Sequence, residues 1–152
     1  MECVIKHFNE LRTEELYAII KARVNVFVVE QNCPYPELDD KDQDAWHVWL
    51  KDQGELVAYL RVLAPGISFS EASLGRVLTT RRQQGLGKAI VECGIAVAKE
   101  KYHTDRLRIE AQCYAQGFYE KLGFRQVGEP FLEDGIWHMG YYSPIKEGKN
   151  RR

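Results

Sequence analysis

Residues 80–90 read TRRQQGLGKAI. A β-rich run, ASLGRVLTT, leads into them, and Leu86, Ala89, Ile90, Cys93, Ala96 and Val97 follow at helical spacing. The chain must therefore pass from a strand through a glycine loop into an amphipathic helix. A helix start leaves backbone N–H groups unpaired and carries a partial positive charge. Gly85 and Gly87 allow a bulky anion close to that backbone, and Arg81, Arg82 and Lys88 add charge. The loop suits a phosphate or pyrophosphate. A P-loop would need glycine where Arg82 stands and Ser or Thr where Ala89 stands. A dinucleotide fingerprint would need a third glycine at Ile90. Both are excluded, and the pattern left is R-x-x-G-x-G in Arg82, Gly85 and Gly87.

Around the loop, Cys3–Phe8 alternates like a strand, and Leu16, Ile19, Ile20, Val24 and Phe27 recur as on a helix. Pro34 and Pro36 end regular structure before an acidic run, Asp39 to Asp44. WHVWL and ELVAYLRVL read as an antiparallel hairpin turning at Gly54. RLRIEAQ is a strand, AQGFYEKLGF a short helix stopped at Gly123, and RQVGE and GIWHMGYY are two last strands. The order β-α-β-β-β-α-β-α-β-β predicts one α/β (α+β) domain over residues 1–145, with a mixed sheet and a polar tail at 146–152.

Bulk properties narrow the function. With 21 basic and 22 acidic residues there is no basic excess for nucleic acid. No apolar run reaches the ~20 residues of a membrane span, and MECVIKHFNE is too polar for a signal peptide. Cys3, Cys33, Cys93 and Cys113 form no CxxC pair and have no zinc spacing. Free thiols in a reducing cytoplasm, and no metal, are the expectation. Asp39, Asp42 and Asp44 are rich in oxygen but lack the glycine and distal Glu of a calcium loop.

A second signal lies about 25 residues beyond the glycine loop. Gln112, Ala115, Phe118, Tyr119, Gly123 and Phe124 match the spacing N-x-x-A-x-x-F-Y-x-x-x-G-F. Together with the loop, this resembles the GNAT superfamily of N-acetyltransferases. Gln112 stands where that pattern more usually has Asn. VFVVEQNCPYPELDD, GRV and EDGIWH extend the resemblance, from residue 16 to 142, to the ElaA-type branch. Trp137 departs from it, standing where a Pro would be common.

The resemblance implies a mostly antiparallel sheet with a splay between the fourth and fifth strands. It also implies an acyl-CoA donor, acetyl-CoA above all, and direct attack by an amine in a ternary complex. Val77, Leu78 and Thr79 would pair with the pantetheine arm as a strand addition does, one N–H bonding the thioester oxygen. The amides of Gln84, Gly85, Leu86, Gly87 and Lys88 would hold the pyrophosphate, helped by Arg82. Gln112 and Phe118 belong with these cofactor residues, although core packing is the plainer reading of Phe118. Arg81 reads as a solvated charge.

Tyr119 is expected as the acid facing the leaving thiolate. An alkylamine must lose a proton before attack, and the base candidates are His47, Glu110 and His138. Each of the histidines reads more readily as structural than as the base, and Glu110 reads also as an exposed strand residue. Glu30 and Asp39 are candidates for the acceptor side; Glu30 also suits a buried ion pair with Arg23 or Arg61, and the acidic run a solvated loop. The expected partner is a small-molecule or peptide amine, acting on a monomer or homodimer in the cytoplasm. A CoA-binding module without catalysis, and acyl transfer with a longer donor or a hydroxyl acceptor, fit the same motifs.

Overall fold

A computed structural model of the chain describes residues 1–82 and 84–144; the tail expected over 146–152 lies outside the described residues. The strands are β1 (Glu2–His7), β2 (Trp46–Asp52), β3 (Glu55–Leu63), β4 (Ala72–Thr79), β5 (Arg106–Gln112), β6 (Arg125–Glu133) and β7 (Ile136–Pro144). The helices are α1 (Thr13–Val24), α2 (Leu86–Tyr102) and α3 (Gln116–Lys121). A π-helical turn, Asn25–Glu30, continues α1 directly.

Local chemistry sets the boundaries. Gln53 and Gly54 take φ of 53° and 82°, the paired positive values of a type I′ turn, and join β2 to β3. Asp134 and Gly135, at 50° and 78°, do the same between β6 and β7. At the start of α1 the Glu15 carboxylate accepts from the Arg12 N–H at 2.8 Å and so occupies one free donor of the helix start. Gly123 at φ 94° ends the turn after α3.

The seven strands form one sheet in the order β1-β2-β3-β4-β5-β7-β6. Every neighbouring pair is antiparallel except β4 and β5. These two pair only at Ala72–Leu107 and Ser73–Arg108, then part. β4 stays with β3 as far as Thr79, while β5 stays with β7 as far as Gln112. The splay lies where it was expected. On its β4 side the ladder slips between Tyr59 and Arg61, opposite Leu78 and Gly75. Arg76 sits in this bulge at φ 54°, a left-handed backbone that is uncommon outside glycine.

Both faces of the sheet are covered. α2 lays Leu86, Ile90, Val91, Val97 and Ala98 on Val48, Leu60 and Leu74 in the main core. Gly94 of this helix comes so close to the sheet that an added Cβ would stand 2.8 Å from a Leu60 methyl. The buried stripe therefore runs through Gly94 and Ala98, and Ala96, expected inside, is exposed. On the opposite face, Ile19 of α1 joins Trp49, Tyr59 and Leu78 in a second core. Leu16, Ile20 and Val24, also expected inside, line an apolar groove on the surface instead. Arg23 takes the inner position and is only 1 % exposed.

Trp49 is buried, Trp46 lies beneath Lys101 Nζ at 4.1 Å, and Trp137 is exposed. The four cysteines are free thiols, with Cys3 Sγ 3.4 Å from Cys93 Sγ. Among the described residues no helix is long and apolar enough to cross a membrane.

Candidate active site

The splay opens into a cavity of ≈ 190 Å³. Gly75, Arg76 and Val77 line it from β4, and Ile109 to Gln112 from β5. Side chains alternate along a strand, so Glu110 and Gln112 share one face. Gln112 stands opposite His138 of β7 in register, and both reach the cavity. Tyr119 of α3 lines it as well, held between the rings of Phe118, Phe124 and Tyr141. The far wall comes from the end of the π turn and the loop after it, through Phe27, Gln31, Cys33 and Tyr35.

Of the residues expected from sequence, the cavity gathers Val77, Glu110, Gln112, Tyr119 and His138. Burial raises the Tyr119 phenol above its ordinary range, so it stays protonated. His138 Nδ1 lies 2.8 Å from the Ile136 carbonyl. A carbonyl only accepts, so Nδ1 carries a proton, and in the neutral ring the lone pair is the one on Nε2. Glu110 is 3.3 Å from Arg108. Gln112 Nε2 donates to Gln31 Oε1 at 3.0 Å, tying the two walls together.

The glycine loop stands at the start of α2. Gly85 is the residue before the first helical turn, at φ 71°, and among the described residues no side chain caps the N–H groups there. The amides of Leu86, Gly87 and Lys88 are thus left for an anion. Gly87 answers a different need: a Cβ there would meet the Phe118 ring at 3.2 Å. The two sequence motifs touch at this point. Leu78 and Leu86 are buried by their side chains, Leu78 in the second core and Leu86 in the main one, which leaves their backbones as the groups that can face a ligand. Thr79 is half-buried at the end of β4, and Gln84 is exposed in the loop. Arg82 is extended into solvent, 3.7 Å from Glu30. Arg81 is not simply solvated: it bonds Asp52 at 2.6 Å and reaches Glu55 at 3.3 Å, across the β2–β3 turn.

Three expectations need correction. His47 is fully buried and does not line the cavity. Its Nε2 faces the Asp42 carbonyl at 3.0 Å and its Nδ1 the Tyr59 hydroxyl at 2.7 Å, so neither nitrogen is free to act as a base. Asp39 has both oxygens engaged by Arg61, at 2.8 and 2.6 Å, and lies outside the cavity lining. Glu30 is exposed and pairs with Arg82, not with Arg23 or Arg61.

The partners of those arginines come from the acidic run and from Glu37 just before it. Arg23 bonds Glu37 and Asp42, each at 2.7 Å. Arg61 bonds Asp42 at 2.9 Å and Asp39 at 2.6 Å. Arg76 bonds Glu37 at 2.7 Å and approaches Asp39 at 3.4 Å. Each arginine meets two carboxylates and each carboxylate two arginines, a closed alternating ring of zero net charge. Burial alone would raise Asp39 and Asp42, but the arginines overcome it and hold both carboxyls below the usual range. The Tyr35 hydroxyl donates to Glu37 Oε1.

Comparison with known proteins places this arrangement. The family profile described as Acetyltransferase (GNAT) domain matches residues 11–143. Protein ElaA of Escherichia coli is 36% identical over 140 residues, covering 88% of this chain and 90% of ElaA. The crystal structure of E. coli ElaA superposes with a TM-score of 0.86, covering 94% of this chain and 99% of that one. An acyl-CoA N-acyltransferase from Pseudomonas aeruginosa superposes at 0.87 with 36% identity, over 94% of this chain and 99% of that one. The parted strands, the uncapped glycine loop and these relatives lead to one conclusion: the chain belongs to the GNAT family of acetyltransferases.

Proposed function

We propose that the chain transfers an acyl group, most simply acetyl, from an acyl-CoA thioester to a primary amine by direct attack in a ternary complex. The splay carries this reading. It leaves the β4 backbone from Gly75 to Thr79 without a partner strand on the β5 side, and the pantetheine amides fit that gap as an added strand. The pyrophosphate then falls at the uncapped start of α2, with Arg82 beside it. The thioester falls at the bulge, where the Val77 N–H donates to its oxygen and to the oxyanion that forms on attack. Losing one such donor costs roughly 10²–10³ in rate in other enzymes.

The amine enters from the far wall, between Tyr35, Cys33 and Glu133. His138 Nε2 takes its proton, directly or through one water, with Glu110 as the alternative base. Tyr119 faces the departing sulfur. A phenol near pKa 10 would protonate a thiolate of pKa near 8.5 only uphill, by about 2 kcal/mol. Burial raises the phenol further, so its role is to donate a hydrogen bond to the thiolate and not to surrender the proton.

Two measurements test the reading. Acetyl-CoA at a hundred times its Kd is expected to stabilise the fold by about 2.7 kcal/mol, seen as a higher Tm. A panel of primary amines is then expected to include some that release free CoA thiol from acetyl-CoA. No Tm shift at millimolar acetyl-CoA would overturn the proposal.

A further inference from the structure

The ion ring touches the cavity at one residue, Arg76. That residue also holds the left-handed backbone of the bulge, at φ 54°. A non-glycine residue there is strained by about 1–2 kcal/mol and persists only where its surroundings hold it. Its side chain is held on several sides. Arg76 Nε donates to Glu37 Oε2 at 2.7 Å and Nη2 to the Glu37 carbonyl at 2.9 Å. Nη2 also reaches Asp39 at 3.4 Å, and the guanidinium lies over the Tyr35 ring at 5.8 Å. Glu37 is 4 % exposed and is itself anchored by Arg23, which donates to the same Oε2 from α1.

We infer that Glu37 is a positioning residue for the transfer: it clamps Arg76 so that the β4 bulge keeps the next amide, Val77 N–H, aimed into the cavity. The inference rests on the acyltransferase reading, and on the bulge as the thioester's partner within it. The clamp links the two sides of the site. Glu37 belongs to the loop that carries Tyr35 on the acceptor wall, and Arg76 belongs to the donor strand. Anything that shifts the loop shifts the amide. Neither residue lies at the pyrophosphate loop, so a damaged clamp should impair the chemical step and spare the binding of CoA.

The test compares wild type with Glu37→Gln, Asp39→Asn and the double variant Glu37→Gln/Arg76→Gly. Glycine adopts a positive φ without strain, and the double variant keeps the remaining ring balanced, two arginines against Asp39 and Asp42. Three quantities are read: CoA affinity by calorimetry, kcat for an amine that the wild type acetylates, and amide hydrogen exchange over residues 74–79. Glu37→Gln is expected to keep CoA affinity and lower kcat about 10- to 100-fold, as displacement of a catalytic group by ~1 Å does. Exchange at the bulge is expected to quicken. Asp39→Asn, which touches the longer contact, shifts both less, and the double variant recovers kcat relative to Glu37→Gln. Unchanged kcat and exchange in Glu37→Gln, or a loss that the double variant does not recover, overturns the inference. If the wild type acetylates no amine, the acyltransferase reading fails. Exchange at the bulge then decides the clamp alone, and an unchanged rate in both Glu37→Gln and Asp39→Asn rejects it.

Discussion

Tyr119 is the candidate residue with the most tightly packed surroundings. It is 5 % exposed, packed among three aromatic rings, and yet lines the cavity. A hydrogen bond to an ionised group contributes about 1.5–3 kcal/mol, so Tyr119→Phe is expected to lower kcat about 10- to 100-fold. CoA affinity should largely hold, because the phenol bonds the sulfur strongly only once negative charge develops on it as the C–S bond breaks. An unchanged kcat would show that the ring is there for packing. For the base, His138→Gln should cost more than Glu110→Gln, because among the described residues Nε2 of His138 has no hydrogen-bond partner while Glu110 is tied to Arg108; the reverse order of kcat values would transfer the role to Glu110. Tyr119, Gln112 and the glycine loop were legible in the sequence because their spacing is rigid within one short element. The exclusion of His47 was not. Its neighbours Tyr59 and Asp42 meet it only through strand register and a loop, and no local pattern encodes either. The wall residues Gln31, Cys33, Tyr35 and Arg76 were missed for the same reason. Pro34 and Pro36 hint at an extended loop around Tyr35, but not at where that loop lies.

At the scale of elements, α2 joins fold to proposed function: its first turn carries the proposed anion site and its middle seals the core. Gly94 sets how closely it can lie on the sheet, with Leu60 and Leu74 methyls at 2.8 and 3.2 Å from a Cβ built there. Gly94→Ala would gain helix propensity of roughly 0.8–1 kcal/mol, but overpacking a closed core costs about 1–3 kcal/mol. Leu60 is fully buried and has nowhere to swing. A net loss of about 1 kcal/mol is expected, seen as a Tm lower by roughly 2–4 °C; a Tm at or above that of wild type would mean that the helix shifts to accommodate the methyl. Element order was readable from periodicity and the β2–β3 turn from Gly54, while Gly135, read as the start of the last strand, lies in the β6–β7 turn. The inward faces were less so. A stripe of apolar residues marks which side of a helix is oily, but the sheet beneath α2 selects small residues, Gly94 and Ala98, over the larger stripe. On α1 the ion ring draws Arg23 inward and leaves Leu16, Ile20 and Val24 at the surface.

For the molecule as a whole, the ring and His47 form one buried polar layer between α1, the loop of residues 31–42 and the sheet. Three of its titratable groups, His47, Asp39 and Asp42, respond to acid in two steps. His47 is pushed below its ordinary range, chiefly by burial and further by Arg23 and Arg61, although Asp42 opposes this. The unfolded chain therefore binds a proton first as the pH falls, and stability declines below about 6.5 until the folded histidine also charges. Asp39 and Asp42 are held low by their arginines. What they contribute is complete above about pH 3.9, the unfolded value, and disappears as the pH drops through their folded values. The expected profile of Tm against pH is a plateau above ~6.5, a shallow fall below it, and a steep fall below ~4. His47→Gln, which can still donate to one neighbour and accept from the other, should remove the shallow limb and leave the steep one. Asp39→Asn removes the charge from a half-buried carboxylate paired with Arg61 and Arg76, so its Tm should lie below wild type at pH 7. That difference should begin to shrink as the pH nears 3, because the unfolded wild-type chain then takes up a proton at Asp39 that the folded carboxylate, held low by its arginines, does not. Added salt should change little, since the ring lies largely out of solvent and is weakly screened. A difference between Asp39→Asn and wild type that stays constant from pH 7 to 3 would mean that Asp39 acts by packing rather than by charge.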